Sequence, residues 1–205
     1  MKPTKTSKAW MQEHLNDPYV KLAQKDGYRA RAAYKLIEID DKDKLIKPGM
    51  TVVDLGSTPG SWSQVAAQRL KKQGRIIALD ILDMQPIAGV EFICGDFREE
   101  SVLKGLEKSL NNQQVDLVIA DMAPNISGIA SVDQAGATYL TELALEFCKD
   151  WLKPNGNFLV KVFIGAGFEE TLKDMRTMFD KVVTRKPRAS RDRSSEVYLL
   201  GLSKK

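Results

Sequence analysis

Apolar residues along the chain fall into two alternating rhythms. Short continuous runs mark buried strands: Thr51-Val52-Val53-Asp54-Leu55, Arg75 to Asp80, Val90 to Cys94, Val115 to Asp121 and Asn157 to Ile164. Between them lie stretches with helical spacing. Arg29 to about Asp41 carries Ala32, Ala33, Leu36 and Ile37 on one stripe. Ser61 to Lys72, Glu99 to Leu110, Ser131 to Leu152 and Phe168 to Phe179 read the same way. Lys47-Pro48-Gly49, Gly74 and Lys153-Pro154-Asn155-Gly156 punctuate the series. Residues 1–28 have no clean period and include Asn16-Asp17-Pro18, so they read as a partly ordered arm.

Strands alternating with helices predict an α/β fold with a mostly parallel, doubly wound sheet. Lys181 to Lys186 and Glu196 to Leu202 form a closing strand pair with no room for a crossover helix. Parallel pairing needs a crossover of a dozen or more residues, so an antiparallel strand is expected at one edge. No repeat or low-complexity tract interrupts residues 29–205, which read as a single domain.

Composition narrows the class. The chain has 205 residues, 43% of them hydrophobic, enough for one well-filled core. No apolar run approaches the roughly 20 residues of a membrane span. Met1 to Lys8 is basic but leads into no apolar stretch, so no secretory signal is visible and a cytoplasmic protein is expected. Cys94, Cys148 and the single His14 cannot supply a disulfide framework or a Cys/His zinc site, and no metal is expected.

Charge is distributed unevenly. The net +4 conceals a +5 segment over residues 1–35, another +5 over residues 181–193, and a remainder of −6. Compact basic segments interleaved with Tyr19, Tyr28 and Tyr34 point to a polyanion partner, rather than to solvated surface charge alone.

In doubly wound sheets, ligands bind beyond the carboxyl ends of the strands. Asp54, Asp80, Asp96 and Asp121 all fall at or near those ends. Any one of them alone reads equally well as a turn or N-cap residue. The loop after the first strand, Gly56-Ser57-Thr58-Pro59-Gly60-Ser61-Trp62, is not G-x-G-x-x-G, and Pro59 removes a backbone donor. It suits a ligand needing close backbone approach but carrying no diphosphate. Asp80 lies 20 residues after Gly60, where an acid meets a ribose hydroxyl pair, and Asp96 could then face an adenine amine. Ribose and adenine without phosphate suggest S-adenosylmethionine; a nicotinamide cofactor is the alternative. Trp62 either covers the ligand or fills core, the latter being the safer reading.

Lys161 stands in the apolar run Phe158 to Ile164. Lysine is almost never buried unless paired. Either it snorkels from the strand end, or it sits at the rim near Asp121 as a partly desolvated amine. Lys35 and Glu196, taken alone, read equally well as surface.

At these residues the chain resembles the FtsJ/RrmJ family of ribosomal-RNA 2′-O-methyltransferases. The resemblance runs from about Trp10 to Leu202. It is carried by Arg29-Ala30-Arg31-Ala32-Ala33-Tyr34-Lys35-Leu36, Val52 to Gly56 with Pro59-Gly60 and Trp62-Ser63-Gln64, Gly95-Asp96-Phe97-Arg98, Asp121-Met122-Ala123-Pro124-Asn125, Val160-Lys161-Val162-Phe163 and Ser195-Glu196-Val197-Tyr198. It implies a Rossmann-like, S-adenosylmethionine-dependent methyltransferase domain over residues 29–205, preceded by a basic arm over residues 1–28. It places the family's catalytic set on Lys35, Asp121, Lys161 and Glu196, and its cofactor residues on Gly60, Trp62, Asp80, Asp96 and Asp121. Ser57, Thr58 and Ser61 depart from the commoner Ala-Ala-Pro-Gly-Gly loop. The short chain is similar to the bacterial form. The implied substrate is a uridine 2′-hydroxyl of large-subunit (23S) ribosomal RNA in the assembled 50S subunit, during ribosome biogenesis. The chain is expected to act as a monomer, without a membrane. A non-catalytic RNA-binding factor on the same fold is the rival class.

In the expected reaction the ribose 2′-oxygen attacks a sulfonium methyl, and the protein supplies positioning and proton removal. Lys161 is the candidate general base, Asp121 its orienting partner, Lys35 a support for the 2′-oxygen or an adjacent phosphate, and Glu196 a supporting residue. Because the basic segments lead to Lys35 and Glu196, they should converge around the cofactor. Arg29, Arg31, Lys35, Arg188, Arg191 and Arg193 are the candidate RNA-binding residues.

Overall fold

A computed structural model describes residues 16–191 and 193–205. Trp10 and His14 lie outside the described residues. The apolar runs pair into one seven-stranded sheet: β1 (Thr51–Leu55), β2 (Arg75–Asp80), β3 (Val90–Cys94), β4 (Val115–Ala120), β5 (Leu152–Phe163), β6 (Phe179–Arg185) and β7 (Glu196–Lys204). Their order is β3-β2-β1-β4-β5-β7-β6. The pairs from β3 to β5 are parallel, whereas β7 runs antiparallel to both β5 and β6. The antiparallel pair therefore occupies one edge, with β6 outermost and β7 one strand in.

Among the described residues six helices cover the two faces: α1 (Pro18–Asp26), α2 (Ala33–Asp43), α3 (Ser61–Leu70), α4 (Glu100–Ser109), α5 (Ala130–Trp151) and α6 (Phe168–Met178). Alternation along each strand decides which layer a side chain joins. In β1, Val53 and Leu55 pack with Leu106 of α4, Phe147 and Cys148 of α5 and Met175 of α6. Val52 faces the other way, onto Leu36 and Ile39 of α2 and Trp62 and Val65 of α3. Strand order reverses between β1 and β4, so the crevice where such folds bind ligands opens at the carboxyl ends of those two strands.

Two local readings change. Pro18–Asp26, expected within a partly ordered arm with no clean period, is a helix. Asp17 caps it, its Oδ1 accepting the Tyr19 N–H at 2.9 Å; Pro18 occupies the first turn, where no N–H is needed; and Gly27 ends it with φ 76°. The Asn16-Asp17-Pro18 turn signal is thus a helix start. Conversely, α2 begins at Ala33 rather than Arg29, because the preceding backbone bonds outward. The Arg29 N–H donates to Gln64 Oε1 (2.9 Å), and the Ala32 carbonyl accepts the Trp62 indole N–H (2.9 Å). The Lys153–Gly156 turn survives inside β5: Val115 faces Leu152 and Leu117 faces Asn157, so those four residues loop out of register.

Phe158, fully buried in β5 and stacked on Phe179 with ring centroids 6.4 Å apart, joins the central strands to the edge pair. Phe158→Ala is expected to destabilise the fold by about 3–5 kcal/mol, read as a lowered midpoint of urea unfolding.

Candidate active site

Lys161 sits in β5 opposite Tyr198 of β7, and Phe163 opposite Glu196. Asp121 follows the last residue of β4, the neighbour of β5, and its N–H donates to the Leu55 carbonyl at 3.1 Å. The Lys161 Nζ lies 2.9 Å from the Asp121 carbonyl oxygen and 3.2 Å from its Oδ1. Only 9% of the Lys161 side chain and 17% of Asp121's remain exposed. The lysine is therefore paired at the strand end, not snorkelling. On the other side, Lys35 of α2 places Nζ 2.6 Å from Glu196 Oε1, which also accepts the Ser190 hydroxyl at 2.9 Å. The structure thus brings Lys35, Asp121, Lys161 and Glu196 together as two interlinked ion pairs.

Tyr198 is the link, and its role was not singled out from sequence. It is fully buried, its O–H donates to Asp121 Oδ1 at 2.9 Å, and Glu196 Oε1 lies 3.5 Å away. The available signal was period two: Glu196 and Tyr198 project from the same face of β7. Burial, with Asp121 and Glu196 beside it, pushes the Tyr198 phenol well above its ordinary range, so it remains a donor. Burial would also raise the Glu196 carboxyl, but the charges of Lys35 and Lys161 and the Ser190 hydroxyl outweigh it and hold that carboxyl below the usual glutamate range.

The proposed cofactor residues divide. Gly60 (φ 106°) starts α3, and a Cβ there would meet Ile87, Arg29 and Met84 at 2.7–2.8 Å. Gly56 (φ 74°) allows the Met122 backbone to approach the same loop. Asp80 orders the rim, its Oδ2 accepting from Thr58 N–H (2.8 Å) and its Oδ1 from Leu82 N–H (2.9 Å). Asp96 is gripped by Arg98, with guanidinium contacts of 2.5–3.0 Å and the Arg98 N–H at 2.9 Å. Arg98 holds the Asp96 carboxyl below its usual range. Trp62 is 2% exposed and packs 5.6 Å from the Tyr198 ring. Its indole is core, so it does not cover a ligand.

Asp54 is corrected as a rim carboxylate. It lies inside β1, facing α3, and is fully buried. Ser63 Oγ donates to its Oδ2 at 2.6 Å, while its Oδ1 has no hydrogen-bond partner among the described residues. Burial, reinforced by the charges of Asp121 and Asp80 and opposed by the Ser63 bond, raises its pKa to about 7.

The two basic segments meet. Arg31 donates to the Ala189 carbonyl at 2.5 Å and pairs with Asp17 at 2.9 Å. Together with Lys35, Arg191, Arg193, Ser194 and Glu196 it lines a cleft of about 490 Å³. Arg188 is exposed nearby in sequence, while Arg185 is spent on Asp43 of α2. Arg29 does not join this face. Its Nη1 donates to the Pro59 (2.9 Å) and Gln85 (2.6 Å) carbonyls and its Nη2 to that of Pro86 (2.9 Å). Those bonds occupy three of its five N–H groups and turn the guanidinium to main-chain carbonyls, which speaks against its place among the RNA-binding candidates.

An acid whose folded pKa is raised binds its proton in the native state but not in the unfolded state between the two values. Stability from that group is complete below pH 4 and lost as pH rises through about 7. Asp54→Asn is expected to flatten this decline, compared with the parent by urea unfolding from pH 4 to 8.

The FtsJ-like methyltransferase family model matches residues 28–204. Ribosomal RNA large subunit methyltransferase E of Methylobacillus flagellatus is 75% identical over 205 residues, covering 100% of this chain and 99% of that protein. The protein of the same name from Chromobacterium violaceum is 65% identical over 201 residues, 98% of each chain. The crystal structure of a protein described as a ribosomal RNA methyltransferase from Plasmodium falciparum superposes with a TM-score of 0.78 at 31% identity, covering 86% of this chain and 98% of that one. These matches decide against the nicotinamide alternative: the chain belongs to the FtsJ-like methyltransferase family and is an enzyme of that class.

Proposed function

We propose that the protein is a large-subunit ribosomal RNA methyltransferase that transfers a methyl group from S-adenosylmethionine to a uridine ribose 2′-hydroxyl, within the assembled 50S subunit. The observation that carries the reading is the largely buried pairing of Lys161 with Asp121, at the ends of adjacent strands and connected through Tyr198 and Glu196 to a basic cleft.

The donor set of the rim fits the cofactor. Gly56 and Gly60, lacking side chains, let Met122 pack onto one and Ile87, Met84 and Arg29 onto the other along the loop that borders the crevice. Asp80, Asp96 and Asp121 line the rim with carboxylates, appropriate to a ribose diol, an amine and a cationic tail. Gly60, Asp80, Asp96 and Asp121 would hold it, with Trp62 contributing backbone at the start of α3. Arg98 is about half exposed and would swing aside to free acceptors on Asp96. S-Adenosylmethionine supplies, when bound, an activated methyl group.

The protein's own work is positioning and proton removal. An amine nitrogen has four positions. In Lys161 one is Cε and two are directed at the Asp121 carbonyl and carboxylate, leaving one for the 2′-hydroxyl. Once its ammonium has released a proton to solvent, Lys161 presents a lone pair there and accepts the proton of the 2′-hydroxyl. Asp121 holds its orientation, and Tyr198 fixes Asp121. Lys35, pinned by Glu196, steadies the 2′-oxygen or a neighbouring phosphate. Arg31, Arg191 and Arg193, with Arg188 further out, grip the RNA backbone.

The decisive experiment offers labelled S-adenosylmethionine with free ribosomal RNA and with undermethylated large subunits, then maps the modified nucleotide. A 2′-O-methyluridine formed on subunits is expected; label on a base, or none, overturns the reading. Lys161→Ala and Asp121→Ala should each lose about 10²–10⁴-fold in single-turnover rate while retaining a cooperative melt. A single-turnover rate near the parent's in Lys161→Ala removes Lys161 as base. RNA affinity should fall steeply with salt, and Arg191→Glu should weaken it.

A further inference from the structure

Arg29 reaches three carbonyls on two separate loops. Pro59 belongs to the β1–α3 loop; Gln85 and Pro86 belong to the β2–β3 loop. These loops carry the residues that flank the proposed cofactor crevice: Gly60 on one, and on the other the segment following Asp80. The Nη1 atom lies 2.8 Å from the position a Cβ would take on Gly60, so the guanidinium backs the glycine floor directly. Around it, the same short segment is tied down three more times. The Arg29 N–H donates to Gln64 Oε1, Gln64 Nε2 donates to the Gly27 carbonyl (3.1 Å), and the Tyr28 hydroxyl donates to Gln68 Oε1 (2.6 Å). Gln64 and Gln68 both stand on α3, the helix that Gly60 begins.

We infer that Arg29 is a positioning residue for the cofactor: its guanidinium staples the two walls of the crevice together from behind, and so sets cofactor affinity. The inference rests on the reading of that crevice as the S-adenosylmethionine site. The chemistry needs arginine. A guanidinium presents up to five N–H donors in a flat, rigid fork and can serve three carbonyls at once. An ammonium is a compact point charge on a flexible stem, with no fixed fork to span both loops. Carbonyl acceptors do not titrate, so the staple holds at any pH at which the protein is folded. Arg29 also lies two residues before Arg31 and six before Lys35, both in the basic cleft. A shift of this segment when RNA engages the cleft reaches the cofactor loop through one side chain.

The experiment compares the parent with Arg29→Met and Arg29→Lys. It measures S-adenosylhomocysteine affinity by calorimetry, KM and kcat for S-adenosylmethionine, and the salt dependence of RNA binding. Both variants are expected to weaken S-adenosylhomocysteine and raise KM by about tenfold, with kcat kept within about threefold, the signature of lost uniform binding. The log-log salt slope for RNA should not change. Amide exchange at Thr58 and Gly60 should quicken while the central strands stay protected. Two results overturn the inference. One is a salt slope reduced by about one with cofactor affinity unchanged, which makes Arg29 a phosphate contact. The other is Arg29→Lys matching the parent throughout, which shows that charge rather than the fork is what matters. Thermal melts of each variant accompany the titrations, and Arg29→Lys, which keeps the charge and stem, carries the test if Arg29→Met does not fold. If the parent itself binds neither S-adenosylmethionine nor its demethylated product, the cofactor reading fails first.

Discussion

The placement of β7 between β5 and β6 is the constraint on which the site depends. A parallel strand there would need a crossover helix, and the ten-residue connection from Arg185 to Glu196 leaves none. Running antiparallel, β7 delivers Glu196 and Tyr198 to the carboxyl end of β5, opposite Phe163 and Lys161. Two ammonium groups and two carboxylates then share one nearly dry corner. Burying any one of these charges alone is costly, because its hydration is lost and nothing replaces it. Together they sum to zero, and the Tyr198 hydroxyl and Asp121 carbonyl occupy remaining hydrogen-bonding positions. The balance also orders the site: the pairing that neutralises Lys161 is the pairing that aims it.

The same economy governs the basic residues. Two clusters of equal charge, separated by some 150 residues of sequence, come together where Arg31 reaches the Ala189 carbonyl. Like charges at such proximity repel, and part of each cluster is neutralised internally: Arg31 by Asp17, Arg185 by Asp43 and Lys35 by Glu196. Lys186 secures the turn between β6 and β7 through the Ser194 and Glu196 carbonyls. Arg31 and Lys35 are thus held by internal pairs and line the cleft at the same time, while Arg185 lies outside it. Arg29 goes furthest in this direction, since its described acceptors are main-chain carbonyls and it serves the opposite wall.

Much of this was legible in the chain. Continuous valine, isoleucine and leucine runs between helical stripes identify the parallel sheet, because strands buried on both faces admit little else. The missing crossover before Glu196 locates the antiparallel edge. Lys161 was conspicuous because an apolar run does not carry an ammonium without a partner. Tyr198 was less so, since tyrosine in a strand ordinarily signals packing, and only its neighbours Asp121 and Glu196 turn it into a donor. Asp54 misled because strand ends are uncertain by a residue or two, and one position decides whether a carboxylate faces solvent or a helix.

What the sequence determined by itself was periodicity, the inventory of chemistry and the family. The first two follow from residue type and spacing and the third from the resemblance of motifs, and none of them needs a third dimension. What only the tertiary structure decided was what each charge is held against. Arg29, Arg31 and Arg185 look alike as basic residues in basic segments, yet one clamps carbonyls, one lines the cleft and one is paired to Asp43. A guanidinium's role is set by the acceptors within about 3 Å of its fork, and those acceptors come from distant parts of the chain.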